Sequence, residues 1–191
     1  MISDLLITNI ATLYTMQGED LGKTTEAALS ILGAKLNYFG NKTNAPSATQ
    51  TIDATGCIVL PGLVDAHTHA IWAGSRSDEF ARRLQGVPYS EILEQGGGIL
   101  STVSATRKAS MQHLTELGQQ RLLPLLHRGV TSIEIKSGYG LSVEYEDKIL
   151  SAIQSLMPNT SMRISPTFLG AHTIPEEYRS KRSEYVSQII E

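Results

Sequence analysis

From residue 61 onward the chain repeats one rhythm: a short apolar run, a polar or glycine-containing break, then a stretch with helical spacing. Runs of strand length lie at 61–69, 130–136 and 162–169. Apolar residues at helical spacing run through Met111, Leu114, Leu117, Leu122, Leu125 and Leu126. They end at His127-Arg128-Gly129, with basic residues in the last turn and a glycine to follow, and Pro124 is expected to kink the helix. A second helix is expected over 143–156, stopped by Met157-Pro158-Asn159, and a third from residue 176. Strands separated by helices can be neighbours only through crossover connections, which implies a parallel sheet: a barrel or an open α/β sheet.

Residues 2–60 follow another pattern. Short β-rich pieces occupy 5–14, 27–32, 35–39 and 51–60; Gly33 suits a tight hairpin turn, and the polar stretch 41–50 with Pro46 reads as a loop. The expected organisation is therefore a small β-rich domain over 1–60 and an α/β portion over 61–191. With 191 residues, 41% hydrophobic and 18% charged, the chain is ordinary globular material with enough apolar side chains for a core. A net charge of −3 with acids and bases interspersed excludes nucleic acid and anionic membrane surfaces as expected partners. The start lacks a basic leader, and no run approaches the ~18 apolar residues of a spanning helix, so a cytoplasmic location is expected. Cys57 is the only cysteine. It permits neither an internal disulfide nor a cysteine-based zinc knuckle, so any metal must be held by histidines and carboxylates.

The string Pro61-Gly62-Leu63-Val64-Asp65-Ala66-His67-Thr68-His69 places two imidazoles two residues apart. In an extended strand those side chains share a face, with Cα atoms about 6.6 Å apart, and both rings can reach one ion at ~2.0–2.1 Å. Asp65 falls on the same face, where a carboxylate could orient a ligand ring or reach the ion. The other chemistry-bearing strings also follow strands: Ser137-Gly138-Tyr139-Gly140 after the second and Gly170-Ala171-His172 after the third. In a (β/α)8 barrel that rim is where sites are built. Gly96-Gly97-Gly98 follows no strand and reads as a flexible loop, a lid, or a backbone approach to substrate.

Pro61 to Ala70 resembles the first barrel strand of the amidohydrolase superfamily. Four longer strings resemble the imidazolonepropionase family: Ala73-Gly74-Ser75-Arg76-Ser77-Asp78-Glu79-Phe80; Gly96-Gly97-Gly98-Ile99 with Thr102-Val103 and Thr106-Arg107; Glu134-Ile135-Lys136-Ser137-Gly138-Tyr139-Gly140-Leu141; and Thr167-Phe168-Leu169-Gly170-Ala171-His172. The likeness is strong from about residue 52 to 178. It implies an amidohydrolase-type (β/α)8 TIM barrel, here only the first three βα units, preceded by a small composite β-sandwich domain. It also implies hydrolysis of the small-molecule substrate 4-imidazolone-5-propanoate to N-formimidoyl-L-glutamate, in histidine degradation, with one bound zinc or iron. By motif, His67 and His69 match metal ligands, and Arg76, Tyr139 and His172 match substrate contacts. A guanidinium suits the propanoate of that substrate; the competing reading pairs Arg76 with Asp78 or Glu79. Lys136 is expected to pair with Glu134, and His113 and His127 have no assigned role.

A barrel takes roughly 250 residues, and this chain offers about half of that after its β-rich segment. The family's third histidine ligand, acid/base and metal-binding aspartate belong to later strands, so no catalytic acid/base is expected here and the chain alone should be inactive. A homodimer of the full-length form is left open. The rival readings are a nucleobase deaminase or dihydroorotase-like amidohydrolase, a non-catalytic barrel scaffold, and a half-barrel that dimerises.

Overall fold

The computed structural model describes residues 2–190, and the chain divides into two compact units, Met1–Pro61 and Gly62–Glu191. The first unit is a mixed sheet of β1 (Ser3–Tyr14), β2 (Lys23–Leu32), β3 (Lys35–Asn41), β4 (Ala48–Asp53) and β5 (Ile58–Val59). The strand order is β3-β2-β1-β4, antiparallel between β1, β2 and β3; β4 and β5 both run parallel to β1. The 12-residue β1 is long enough to pair β4 and β5 in succession along one edge. Among its described residues this unit therefore has a single sheet, not the sandwich expected from the resemblance. Ile10, Leu13, Ala27, Leu29 and Ala54 form its core, while Leu36, Phe39 and Ile52 remain at least half exposed.

Two local features explain where the sequence reading of this unit drifts. The expected strand over 51–60 is cut by a turn in which the Asp53 carboxylate accepts from the Thr55 N–H (3.0 Å) and hydroxyl (2.7 Å), with Gly56 at φ 76°. The expected loop over 41–50 ends early because Ala48 already pairs with Ser3, the register outweighing polar composition. At the β2–β3 hairpin Gly33 adopts φ 61° and donates its N–H to the Asp4 carboxylate at 2.6 Å.

The second unit runs β6 (Leu63–Thr68), α1 (Ser77–Leu84), α2 (Tyr89–Glu94), α3 (Ile99–Lys108), α4 (Met111–His127), β7 (Val130–Lys136), α5 (Val143–Leu156), β8 (Arg163–Thr167) and α6 (Arg182–Ile190). The three strands form a parallel sheet in chain order, β6-β7-β8. The expected third strand is shorter than 162–169, and the expected helix from 176 begins as a 3-10 turn at Glu176–Tyr178 before α6.

Helix α4 starts at Ser110, whose hydroxyl accepts the His113 N–H at 3.2 Å, continues through Pro124, and is followed by Gly129 at φ 90°. Its buried Gly118 permits close approach: a Cβ there would lie 2.4 Å from Ile71 Cδ1 and 2.8 Å from Leu156 Cδ1. Helix α5 buries Ile149, Ala152, Ile153 and Leu156 against Leu114 and Leu122 of α4 and Ile133 and Ile135 of β7. This packing forms the core of the second unit.

Candidate metal and substrate site

Strand β6 is locked to β7 at its end, where the Thr68 hydroxyl donates to the Glu134 carbonyl at 2.7 Å. Just before this the register slips: Asp65 pairs with Ile133 but Thr68 with Ile135, so three steps on β6 match two on β7. Such an irregularity bends a strand and re-aims side chains. It interrupts the strict alternation expected from the H-x-H spacing. The Asp65 carboxylate turns to the His67 N–H at 3.3 Å, a backbone contact instead of the expected ring-orienting one. Beyond β6, Arg121 of α4 donates to the carbonyls of Ala70 (2.8 Å) and Trp72 (2.7 Å), with its guanidinium 3.8 Å from the Trp72 ring centroid. The segment leaving His69 is thereby fastened to the helix layer.

The structure brings His67, His69, Tyr139 and His172 into one cluster. The rings of His67 and His69 are 5.9 Å apart at 63°. His69 stacks on His172 at 4.9 Å and 7°, and Tyr139 lies 5.0 Å from His69 and 5.7 Å from His172. Burial, then the neighbouring His172 and His67, push the His69 pKa below the usual histidine value. That favours the neutral ring, the form that ligates metal. Its Nδ1 is buried without a hydrogen-bond partner. An orphaned imidazole nitrogen beside a second imidazole suits a zinc- or iron-type donor set. Among the described residues no cluster of three or more His, Cys, Asp or Glu side chains is placed to hold an ion.

Arg76 precedes α1, and its Nε donates to Glu79 at 2.9 Å, which raises its pKa above the ordinary arginine value. The other Glu79 oxygen accepts the Gly98 N–H at 2.9 Å. The partner of Arg76 is thus the carboxylate of the competing reading, not a ring of the cluster. This bond ties the glycine run, at the start of α3, to α1, with Gly98 adopting φ 69°. Lys136 pairs with Glu134, whose carboxyl is held below the usual range by Lys136 and then by Thr167. His113 is exposed on α4, with its Nδ1 3.9 Å from Glu116.

Three charged residues that motif reading passed over organise the loops. Glu79 is one. Glu146, fully buried, accepts three backbone N–H groups of the loop after β7, and Arg107 donates from Nε to the Gly140 carbonyl (2.6 Å) and from Nη1 to Glu177 (2.7 Å). Glu146 had a sequence signal: it lies three residues before Ile149 on the buried face of α5, an acid at an apolar position. Gly140 is confined in the same loop, since a Cβ there would sit 2.5 Å from both the Glu146 nitrogen and the Tyr145 carbonyl carbon. Those are backbone atoms of a helix and have no room to yield. Gly140→Ala should therefore lower stability by about 1–3 kcal/mol, read as a fall in denaturant midpoint at unchanged slope.

An amidohydrolase family model matches residues 50–128. The chain is 47% identical over 190 residues to the imidazolonepropionase of Vibrio vulnificus strain CMCP6, covering 98% of this chain and 46% of that protein. It is 45% identical over 186 residues to the imidazolonepropionase of Shewanella halifaxensis strain HAW-EB4, covering 95% and 46%. Among solved structures, a triazine hydrolase from Arthrobacter aurescens superposes with TM-score 0.56 at 22% identity, over 87% of this chain and 35% of that one. An atrazine chlorohydrolase from Arthrobacter aurescens TC1, complexed with zinc, gives TM-score 0.53 at 20% identity over 86% and 35%. Together with the family match, these structures support an α/β amidohydrolase fold for the part that this chain spans. The chain spans about half the length of the curated relatives it matches. By sequence, then, the chain is similar to about half of an imidazolonepropionase and, over residues 50–128, to the amidohydrolase family.

Proposed function

We propose that these residues are the amino-terminal part of a metal-dependent cyclic-amide hydrolase that opens the ring of 4-imidazolone-5-propanoate to give N-formimidoyl-L-glutamate. The supporting observation is the convergence of His67, His69, Tyr139 and His172, from three separate strand ends, into one cluster with ring separations of 4.9 to 5.9 Å. In this reading the second unit is the first three βα units of a (β/α)8 barrel, and the first unit belongs to a composite β domain. His67 and His69 hold one ion, zinc or iron. When bound, it supplies Lewis acidity and water ionised near neutral pH.

The chain's own groups do the rest of what can be assigned. Arg76 meets the propanoate carboxylate, exchanging its Glu79 partner for the substrate or sharing it. Tyr139 offers a hydroxyl and His172 a ring nitrogen to the polar edge of the imidazolone, and the stacked rings give that heterocycle a flat wall. A catalytic zinc site normally takes three protein ligands and one open position; this chain supplies two, so the chemistry is assigned to the longer protein. That protein is read as cytoplasmic, acting on a small molecule without nucleic acid or membrane. Among the described residues no helix is long and apolar enough to cross a membrane.

The test is to follow imidazolone absorbance and ammonia together in the whole protein carrying these residues. Loss of absorbance without ammonia supports the reading, and ammonia from a nucleobase overturns it. In the same assay Arg76→Ala should raise KM about 10- to 100-fold, the size of a charge-assisted hydrogen bond, with metal content unchanged. Loss of metal in that variant would make Arg76 a structural residue.

A further inference from the structure

Among the described residues Glu146 is the sole charged side chain that is fully buried. It sits in the first turn of α5, yet its carboxylate does not serve that helix: it accepts from Gly138 at 2.6 Å, Gly140 at 2.8 Å and Leu141 at 2.6 Å. The loop so held is strained, with Gly138 at φ 115° and Leu141, which has a side chain, at φ 57°. Its opposite face is also anchored, by the Arg107 guanidinium on the Gly140 carbonyl. Tyr139 therefore stands between two glycines that are fixed by charge. Gly138 carries the hold one step further, because its carbonyl lies 3.0 Å from His172 Nδ1. One residue, through its N–H and its C=O, thus links the buried carboxylate to the ring that stacks on His69.

We propose that Glu146 is a positioning residue of the site: through the backbone of residues 138–141 it sets where Tyr139 and the His172 ring stand. The proposal rests on the reading above for what Tyr139 and His172 contact, but the geometry it asserts is independent of substrate. A carboxylate suits three donors because it only accepts; a glutamine amide turns an NH2 toward at least one of them and cannot replace the set. Buried helix ends and loops can also be held for stability alone, so the test must read the site itself.

In the whole protein, Glu146→Gln should lower kcat/KM about 10- to 100-fold, the effect of a misplacement near 1 Å, with KM taking the larger share and metal content unchanged. Glu146→Asp, which keeps the charge and withdraws it by one methylene, should fall between Gln and wild type. In a Tyr139→Phe, His172→Asn background the same Glu146→Gln change should cost less than about 3-fold, because the groups it positions are gone. An equal loss in both backgrounds, or no loss in either, overturns the proposal. If Glu146→Gln fails to fold, the Asp variant is put through the same cycle with the same criteria. If the wild-type protein does not open the imidazolone ring, the substrate reading fails, and the positioning claim is read by NMR on the 191-residue chain. Nuclear Overhauser contacts between the Tyr139 and His172 rings should vanish in Glu146→Gln while those among Ile149, Ile153 and Leu114 persist; persistence of the ring contacts overturns the claim.

Discussion

Replacing His69 with alanine should strip the ion from the whole protein and reduce ring opening by at least about 100-fold, the loss that removing even an outer partner of a ligand can reach. His69 is partly buried where His67 is exposed, burial holds its pKa below the usual histidine value, and its buried Nδ1 has no hydrogen-bond partner. A buried nitrogen without a partner costs about 1–3 kcal/mol, and a ligated ion would remove that cost. Metal-to-protein stoichiometry by atomic emission, alongside initial rates, checks the claim. If the ion is retained at full occupancy and only KM changes, His69 is a substrate contact and the metal assignment of the pair fails.

Ile149→Ala should strongly destabilise the second unit. The side chain is fully buried where α5 meets α4 and β7, and truncating a buried isoleucine costs about 2–5 kcal/mol through lost transfer energy and the remaining cavity. Against a typical total of ~5–15 kcal/mol this is a large share, and the melting temperature should fall by roughly 4–20 °C. Phe80→Ala on exposed α1 serves as the control and should shift stability by under about 0.5 kcal/mol. A thermal scan in which the two variants melt alike would mean that α5 does not close the core.

The helical stripe of 143–156 was readable residue for residue, because Ile149, Ala152, Ile153 and Leu156 repeat at a spacing only a helix can bury on one side. Strand 130–136 was equally plain, with Val130, Ile133 and Ile135 buried. The three strand-end motifs supply the rings of His67, His69, Tyr139 and His172 that lie together in the structure, since each motif follows a strand and parallel strands present their ends on one side. What the sequence concealed were dependencies between distant backbone groups. The register slip between Asp65 and Thr68 depends on how β7 pairs. Glu79 is engaged twice, by Arg76 and by the Gly98 amide nineteen positions away, and neither its neighbours nor its spacing announces the second bond. The single sheet of the first unit follows from β1 pairing two short strands in turn, which composition does not encode.

Strand β6, which bears the two imidazoles at its end, has β7 as its hydrogen-bonded neighbour and stands at the margin of the three-stranded sheet. Amides along a strand face left and right in alternation, so among the described residues about half of those in β6 face away from β7 and should exchange with deuterium faster than the rest. In the proposed reading, where His67 and His69 hold an ion, docking of a further strand on that margin and loading of the ion would favour each other by the same factor, as reciprocal binding events must. The metal affinity of this chain then becomes a gauge of whether its sheet has been extended.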